Sequence, residues 1–137
     1  QEGEVNPYSK ILVPIDGGDA TKQKLLHVTR IAKNFQSEIV ILLKSGIPEN
    51  KFSKKFIKKF FNEYSIQHTF ETRDEDFDKS ILSVAKESNC NMIAIVNETE
   101  NSFLTVYFSD EQEIILNELR IPVLVVNPIK RFTSYWD

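Results

Sequence analysis

Five short apolar stretches alternate along the chain with four segments whose apolar residues recur every three or four positions. The stretches are rich in branched side chains and have the length of strands, whereas the spacing within the other segments is typical of amphipathic helices. This alternation predicts an α/β domain with a mostly parallel sheet. The predicted strands are 10–15, 38–44, 66–72, 92–96 and 121–126, and the predicted helices are 20–35, 52–64, 77–85 and 109–119.

The apolar content of each strand also predicts its place in the sheet. A parallel strand with neighbours on both sides and helices over both faces is apolar throughout, whereas an edge strand can alternate. The second strand is apolar through its middle, but in the third the polar residues Gln67, Thr69 and Glu71 occupy alternate positions. We therefore expect the strand order 3-2-1-4-5 in a three-layer α/β/α domain, with the first, second and fourth strands inside. The flavodoxin-like order 2-1-3-4-5 would instead place the alternating strand at the centre.

Length and composition restrict the class of protein. The chain has 137 residues, 41% of them hydrophobic and 27% charged, which is typical of one globular domain and excludes a disordered chain. We assign the domain to residues 8–128, between a short tail (1–7) and an aromatic tail (129–137). No apolar run approaches the ~20 residues of a membrane helix, so we expect no membrane partner. The net charge of -3 argues against a nucleic-acid partner.

The cysteine and glycine contents add two expectations. A single cysteine, Cys90, cannot form an internal disulfide, which favours a reducing compartment and hence the cytoplasm. The chain starts at Gln1 rather than at methionine, so a leader or a second domain before it is left open. It has four glycines, none after Gly46, so a glycine-dependent phosphate loop would have to lie at Gly17 and Gly18.

The candidate ligand site begins where the first predicted strand ends. Asp16 follows that strand, at the carboxyl edge where open α/β sheets bind ligands. Its carboxylate is a suitable acceptor for the hydrogen bonds of a ribose or a base, and the alternative is a turn or cap residue. Gly17 and Gly18 would expose backbone N–H groups to an anion, and a tight turn is the alternative there.

A group of lysines lies on the second predicted helix, around a stripe formed by Phe52, Phe56, Phe60 and Tyr64 with Ile57 and Phe61. This pattern is typical of a basic surface for a membrane, a nucleic acid or an acidic partner, or of a solvated face opposite a core-facing stripe. The acidic balance of the whole chain favours the solvated face. The lysines are Lys51, Lys54, Lys55, Lys58 and Lys59.

The motifs of catalysis and of metal binding are missing from the sequence. His27, His68 and Cys90 match no metal-ligand spacing, and the chain has no nucleophile elbow of the G-x-S-x-G type. We therefore expect a protein that is not an enzyme and that holds no metal and no cofactor.

Both ends of the domain resemble a known family. Residues 10–17, Lys-Ile-Leu-Val-Pro-Ile-Asp-Gly, and residues 121–126, Ile-Pro-Val-Leu-Val-Val, resemble the start and the close of universal stress protein domains. The resemblance implies a five-stranded sheet in order 3-2-1-4-5, of the adenine nucleotide alpha hydrolase-like kind. Many members bind ATP through glycine, two residues, glycine, nine residues, then glycine with serine or threonine. Counted back from the last strand, these positions fall on Val96, Thr99, Ser109 and Asp110, so all three glycines are missing.

The resemblance implies a stress-response or interaction module that does not bind ATP in the usual way. The alternative is a sensor that holds a nucleotide or another small molecule in an altered pocket around Asp16. Such domains commonly dimerise through the last strand, which carries no charge here and lies at an edge in the expected order. We therefore predict a homodimer, or pairing with a second similar domain, through Pro122, Val123, Leu124, Val125 and Val126.

Overall fold

The computed structural model describes residues 8–15, 22–43, 54–73, 76–96 and 110–126. Within them the five strands form a parallel sheet in the order β3-β2-β1-β4-β5, which confirms the predicted class and strand order. The elements in chain order are β1 (Lys10–Ile15), α1 (Lys22–Phe35), β2 (Glu38–Leu43), α2 (Lys54–Glu63), β3 (His68–Glu71), α3 (Phe77–Glu87), β4 (Met92–Val96), α4 (Asp110–Leu119) and β5 (Val123–Val126).

The inner strands are the three that the sequence predicts. β1 is in register with β2 over its whole length, from Lys10 opposite Glu38 to Ile15 opposite Leu43. On its other side β1 pairs with β4. Apolar residues of these strands are buried because a neighbour covers each side and helices cover both faces.

Alternate residues of the strands pack into two hydrophobic cores, one on each face of the sheet. On one face of the sheet, Ile11, Val13, Ile39 and Ile41 pack with residues of α1 and α2 that include Leu25, Val28, Ile57 and Phe61. On the other face, Leu12, Val40, Leu42 and Ile93 pack with residues of α3 and α4 that include Ile81, Val84 and Leu116. The domain therefore has three layers, with α1 and α2 on one face of the sheet and α3 and α4 on the other.

The four helices of the described residues all end in the same backbone motif. A residue with a positive φ stands one or two positions after the last helical residue. The N–H of the residue that follows it donates to the carbonyl five residues earlier in the chain, which is the pattern of a Schellman motif. Glycine is the usual residue at the positive-φ position, but this chain uses other residues at all four. They are Gln36 (φ 53°), Ser65 (58°), Asn89 (56°) and Arg120 (58°).

These motifs explain where two strand predictions were wrong. The third strand was expected at 66–72 and the last at 121–126, but they are His68–Glu71 and Val123–Val126. The N–H of Ile66 donates to the carbonyl of Phe61 (2.8 Å), and that of Ile121 to the carbonyl of Leu116 (3.0 Å). Both residues are buried and close the preceding helix, so their apolar character does not indicate the start of the strand.

The aromatic stripe of α2 is also only partly core. Ile57, Phe60 and Phe61 are buried as expected, whereas Phe56 and Tyr64 are 41% and 38% exposed. The reason is that α2 precedes the edge strand β3, and no further strand lies beyond β3 in the sheet to cover the outer side of the helix. The predicted helix 77–85 extends two residues further, to Glu87. Ser109, the first residue of the predicted helix 109–119, lies outside the described residues.

Candidate functional site

The candidate site lies where the strand order reverses. From β1 the chain proceeds to β2 and β3 on one side of the sheet, and from β4 to β5 on the other. β1 and β4 are neighbours, with Ile11 opposite Met92 and Leu12 opposite Ile93. In open α/β sheets the crevice at the carboxyl ends of two such strands is the usual ligand site. Val96, a predicted site residue, ends β4 next to β1, and in the sequence Asp16 follows Ile15, the last residue of β1.

Five of the seven residues of the predicted ligand site lie outside the described part of the chain. They are Asp16, Gly17, Gly18, Thr99 and Ser109, so their predicted roles stay predictions.

Val96 and Asp110 are the two residues of the predicted ligand site whose backbone the structure describes. Val96 is the last residue of β4, opposite Val126 of β5, and its backbone has the strand conformation rather than a positive φ. Its extended backbone is the conformation that a β-branched residue prefers. Asp110 is the first residue of α4 and is exposed. A carboxylate there suits the helix dipole but opposes the approach of a phosphate.

A buried lysine near this edge was missed by the sequence analysis. Lys24 is the third residue of α1, at the end of the helix that follows β1, and only 4% of its surface is exposed. Its side chain already has an interaction partner. Its position four residues before the buried Val28 places it on the apolar stripe of α1, and that spacing was the available signal. The first turn of α1, beside the carboxyl edge, therefore contains a buried lysine.

The other buried polar side chains are satisfied locally. The Thr29 hydroxyl donates to the carbonyl of Leu25 (2.9 Å), and the Ser80 hydroxyl donates to that of Phe77 (2.8 Å). Across the described residues, no buried side-chain nitrogen or oxygen lacks a hydrogen-bond partner. In the same part of the chain, no group of acidic, histidine and cysteine side chains could hold a metal ion. None of its helices is both long and apolar enough to cross a bilayer.

Cys90 lies between α3 and β4, just before the amino end of β4 and so at the end of the strand away from the carboxyl edge. It is buried and free, its N–H donates to the carbonyl of Ala85 (2.9 Å), and burial raises the pKa of its thiol to about 11. A thiol that stays protonated is a poor nucleophile and a poor metal ligand. Cys90 is therefore a core residue and not part of a reactive site.

The predicted interface strand lies at the sheet edge, as expected. Val123, Leu124, Val125 and Val126 are all half-buried, and β5 pairs with β4 alone among the described strands. Pro122 is exposed, and its carbonyl accepts the N–H of Ile93 (3.0 Å), which continues the ladder of β4 and β5 without needing a proline N–H. Self-association through this strand stays a prediction.

Comparison with solved structures supplies the fold family. A universal stress protein family protein from Arabidopsis thaliana with AMP bound has a TM-score of 0.63 at 10% identity, over 91% of this chain and 95% of its own. One from Archaeoglobus fulgidus has a TM-score of 0.63 at 18% identity, over 88% of this chain and 44% of its own. A third, from Burkholderia pseudomallei, has a TM-score of 0.56 at 16% identity, over 89% of this chain and 98% of its own.

These likenesses extend over the domain and concern the fold. No protein-family model matches the sequence, and no curated protein sequence matches it. The chain has the adenine nucleotide alpha hydrolase-like α/β fold of universal stress protein structures, which confirms at the level of fold what the two end motifs imply.

Proposed function

We propose that this chain is a universal stress protein-like module of the stress response, which acts through self-association or partner contacts and does not bind ATP in the family's usual manner. The observation that carries the proposal is the strand conformation of Val96, at the position where the ATP motif has its first glycine. The free, buried thiol of Cys90 supports a reducing compartment such as the cytoplasm.

Loss of the ordinary ATP site has a steric part and an electrostatic part. A triphosphate is held by closely approaching backbone N–H groups, and glycine permits both the close approach and a positive φ. Val96 adds a branched side chain at the strand end, and Asp110 adds a negative charge at the start of α4. Two like charges ~4 Å apart repel by roughly 1–4 kcal/mol at effective dielectrics between those of water and a protein surface. That energy alone weakens binding by about five- to several hundredfold.

Calorimetry with magnesium-ATP at millimolar concentration tests this part of the proposal. We expect no micromolar binding by the chain as it stands. The combined variant Val96→Gly, Thr99→Gly, Ser109→Gly and Asp110→Ser should create or improve binding, whereas Asp110→Ser alone should restore only the electrostatic part. Micromolar affinity of the unchanged chain would contradict the proposal.

The edge strand β5 supports the self-association part of the proposal. Leu124 and Val126 pack on the core with α1 and α2, and Val123 packs on the opposite core. Because the N–H of Ile93 bonds to the carbonyl of Pro122, the parallel ladder turns the backbone groups of Val123 and Val125 outward. A second copy of β5 can pair with those groups across a two-fold axis.

Sedimentation equilibrium of two lysine variants tests this pairing. Val125→Lys adds a charge to β5 at a half-buried residue whose backbone groups face outward, and it should weaken the dimer by at least about tenfold. The matched control is Thr69→Lys, at an exposed position of the opposite edge strand, which should leave the dimer intact. A monomer at high concentration, or equal effects of the two variants, would refute association through β5.

A small-molecule or nucleotide sensor is the second candidate function, and Lys24 favours it. Lys24 is buried in the first turn of α1, the helix that follows β1, and a lysine beside the carboxyl edge suits an anionic or strongly polar ligand. The Arabidopsis structure of the same fold has AMP bound. Native mass spectrometry of the purified chain would detect a co-purifying ligand. The sensor hypothesis predicts one, lost in Lys24→Met but kept in the exposed control Lys33→Met, and an empty protein would speak against it.

A further inference from the structure

The strand at the other edge of the sheet, β3, has an open side with polar surroundings. Among the described strands β3 pairs with β2 alone, with His68 opposite Ile39 and Phe70 opposite Ile41. The N–H of Ile39 donates to the carbonyl of Gln67 (2.9 Å), so the parallel ladder uses the odd-numbered residues of this segment. The N–H and C=O groups of His68 and Phe70 therefore face away from the sheet, as two donors and two acceptors.

A compact group of lysines lies beside this open edge, on α2. Lys54, Lys55, Lys58 and Lys59 are all exposed, and Lys54–Lys58 and Lys55–Lys59 are like-charged pairs four residues apart. Such pairs destabilise a helix. The ion pairs seen among the described residues are those of Arg73 with Glu71 (2.7 Å) and with Glu87 (2.8 Å), and they do not include these lysines. The helix thus keeps four cations together at a cost in stability, in a chain whose net charge is -3.

Three of these lysines and the open edge of β3 line one groove. It has a volume of about 640 Å³ and is bounded by Lys54, Lys55 and Lys58 of α2 and by His68, Thr69 and Phe70 of β3. With a rise of about 1.5 Å per residue, Lys54 and Lys58 stand ~6 Å apart along the helix. Alternate residues of an extended strand, which share one side, are ~6.6 Å apart. The spacing of these two lysines along the helix thus matches that of acidic residues at alternate positions of a bound strand.

We propose that this groove binds an extended acidic peptide segment, which adds to the sheet as a strand beside β3. The backbone of the segment pairs with the outward groups of His68 and Phe70. Its acidic side chains, two residues apart, reach Lys54 and Lys58. Strand addition of this kind takes its affinity from main-chain hydrogen bonds and its specificity from alternate side chains. The proposal concerns the edge opposite to β5 and is independent of ATP binding and of self-association.

The rings in the groove favour a peptide over a single-stranded nucleic acid. Nucleic-acid grooves of this kind stack bases on free aromatic faces. Here the Lys54 ammonium lies 5.3 Å from the centre of the Phe70 ring. The His68 ring lies between two others, with its centre 5.4 Å from that of Phe61 and 5.6 Å from that of Phe70. Both rings of the groove are engaged by neighbours, whereas the outward backbone groups match those of a strand.

Fluorescence anisotropy with the full chain tests the proposal on defined probes. The main probe is a labelled five-residue peptide of β-branched residues with glutamate at its second and fourth positions. We expect a Kd tighter than about 1 mM that weakens as salt is added. The comparison probes are the same peptide with lysine in place of glutamate, the peptide with its alternate backbone nitrogens methylated, and an oligothymidylate.

Matched variants locate the site. Lys54→Gln with Lys58→Gln removes two charges from the groove and should weaken the glutamate peptide about fivefold, as two exposed charge pairs would. Lys79→Gln with Lys86→Gln removes two exposed charges from α3 and should change the affinity less than about twofold. No binding of the glutamate peptide, equal binding of its methylated or lysine form, equal loss in the two double variants, or tighter binding of the oligothymidylate would each overturn the proposal.

Discussion

The scarcity of glycine at the helix ends leads to a stability prediction that can be worked out at Ser65. This residue follows α2 with a φ of 58°, and its N–H donates to the carbonyl of Asn62 (3.1 Å). The left-handed conformation costs an ordinary residue roughly 1–2 kcal/mol, whereas glycine adopts it freely. Glycine in turn loses about 0.4–1 kcal/mol because its unfolded chain is more flexible. Ser65→Gly should therefore raise the free energy of unfolding by about 0.5–1 kcal/mol.

Urea unfolding followed by circular dichroism measures this change, and a neighbouring helix end provides the control. Ser88 caps α3 with a φ of -94°, so glycine gains nothing there and Ser88→Gly should be neutral or destabilising. Ser65→Val should lower the stability, because a β-branched residue resists positive φ. If Ser65→Gly destabilised the protein as much as Ser88→Gly does, the left-handed conformation at this helix end would not be the source of strain.

Three further predictions concern the core, the buried thiol and a surface ion-pair group. Phe61→Ala should lower the free energy of unfolding by about 3–5 kcal/mol in the same assay, because Phe61 is fully buried, while Phe56→Ala should cost far less. The pKa of Cys90, raised by burial from its ordinary 9.0 to about 11, should make its reaction with a disulfide reagent at pH 8 roughly a hundredfold slower than in the unfolded chain. The contribution of this thiol to the free energy of unfolding should be fully present below pH 9 and should be lost as the pH rises toward 11, which alkaline titration of unfolding would detect. Arg73→Gln, which removes both ion pairs of Arg73, should cost no more than about 1 kcal/mol because its carboxylate partners are solvent-accessible.

The sheet could be predicted from the sequence because burial leaves a different pattern on inner and edge strands. β1, β2 and β4 are covered on both faces, so both of their residue sets are apolar. Thr69 in β3 is exposed and Glu71 is only half-buried, so the alternation that indicated an edge has a direct structural cause. Strand ends were harder to predict, because Ile66 and Ile121 are apolar for the sake of the preceding helix. Hydrophobicity reports burial and does not distinguish a ladder residue from a helix cap.

The candidate ligand site was less accessible to the same reasoning. Its position at the strand-order reversal follows from topology, which the apolar pattern supplies. Whether Lys24 takes part in a ligand site depends on where its side chain points relative to the sheet edge. The apolar stripe of α1 indicates that direction only indirectly. Asp16 and residues 97–109 lie outside the described residues, and hydrophobic periodicity predicts helices and strands but not the turns between them.

The two edges of the sheet differ in a way that bears on what each can bind. β5 presents four apolar residues and no charge, so its open backbone is suited to an equally apolar strand, such as a second β5. β3 presents His68 and Phe70 beneath the lysines of α2, so an apolar strand laid there would cover ammonium groups without pairing them. Each edge thus disfavours the partner of the other, and a dimer formed through β5 leaves both β3 edges at the far ends of the continuous sheet. Self-association and capture of an acidic segment are therefore geometrically compatible in one assembly.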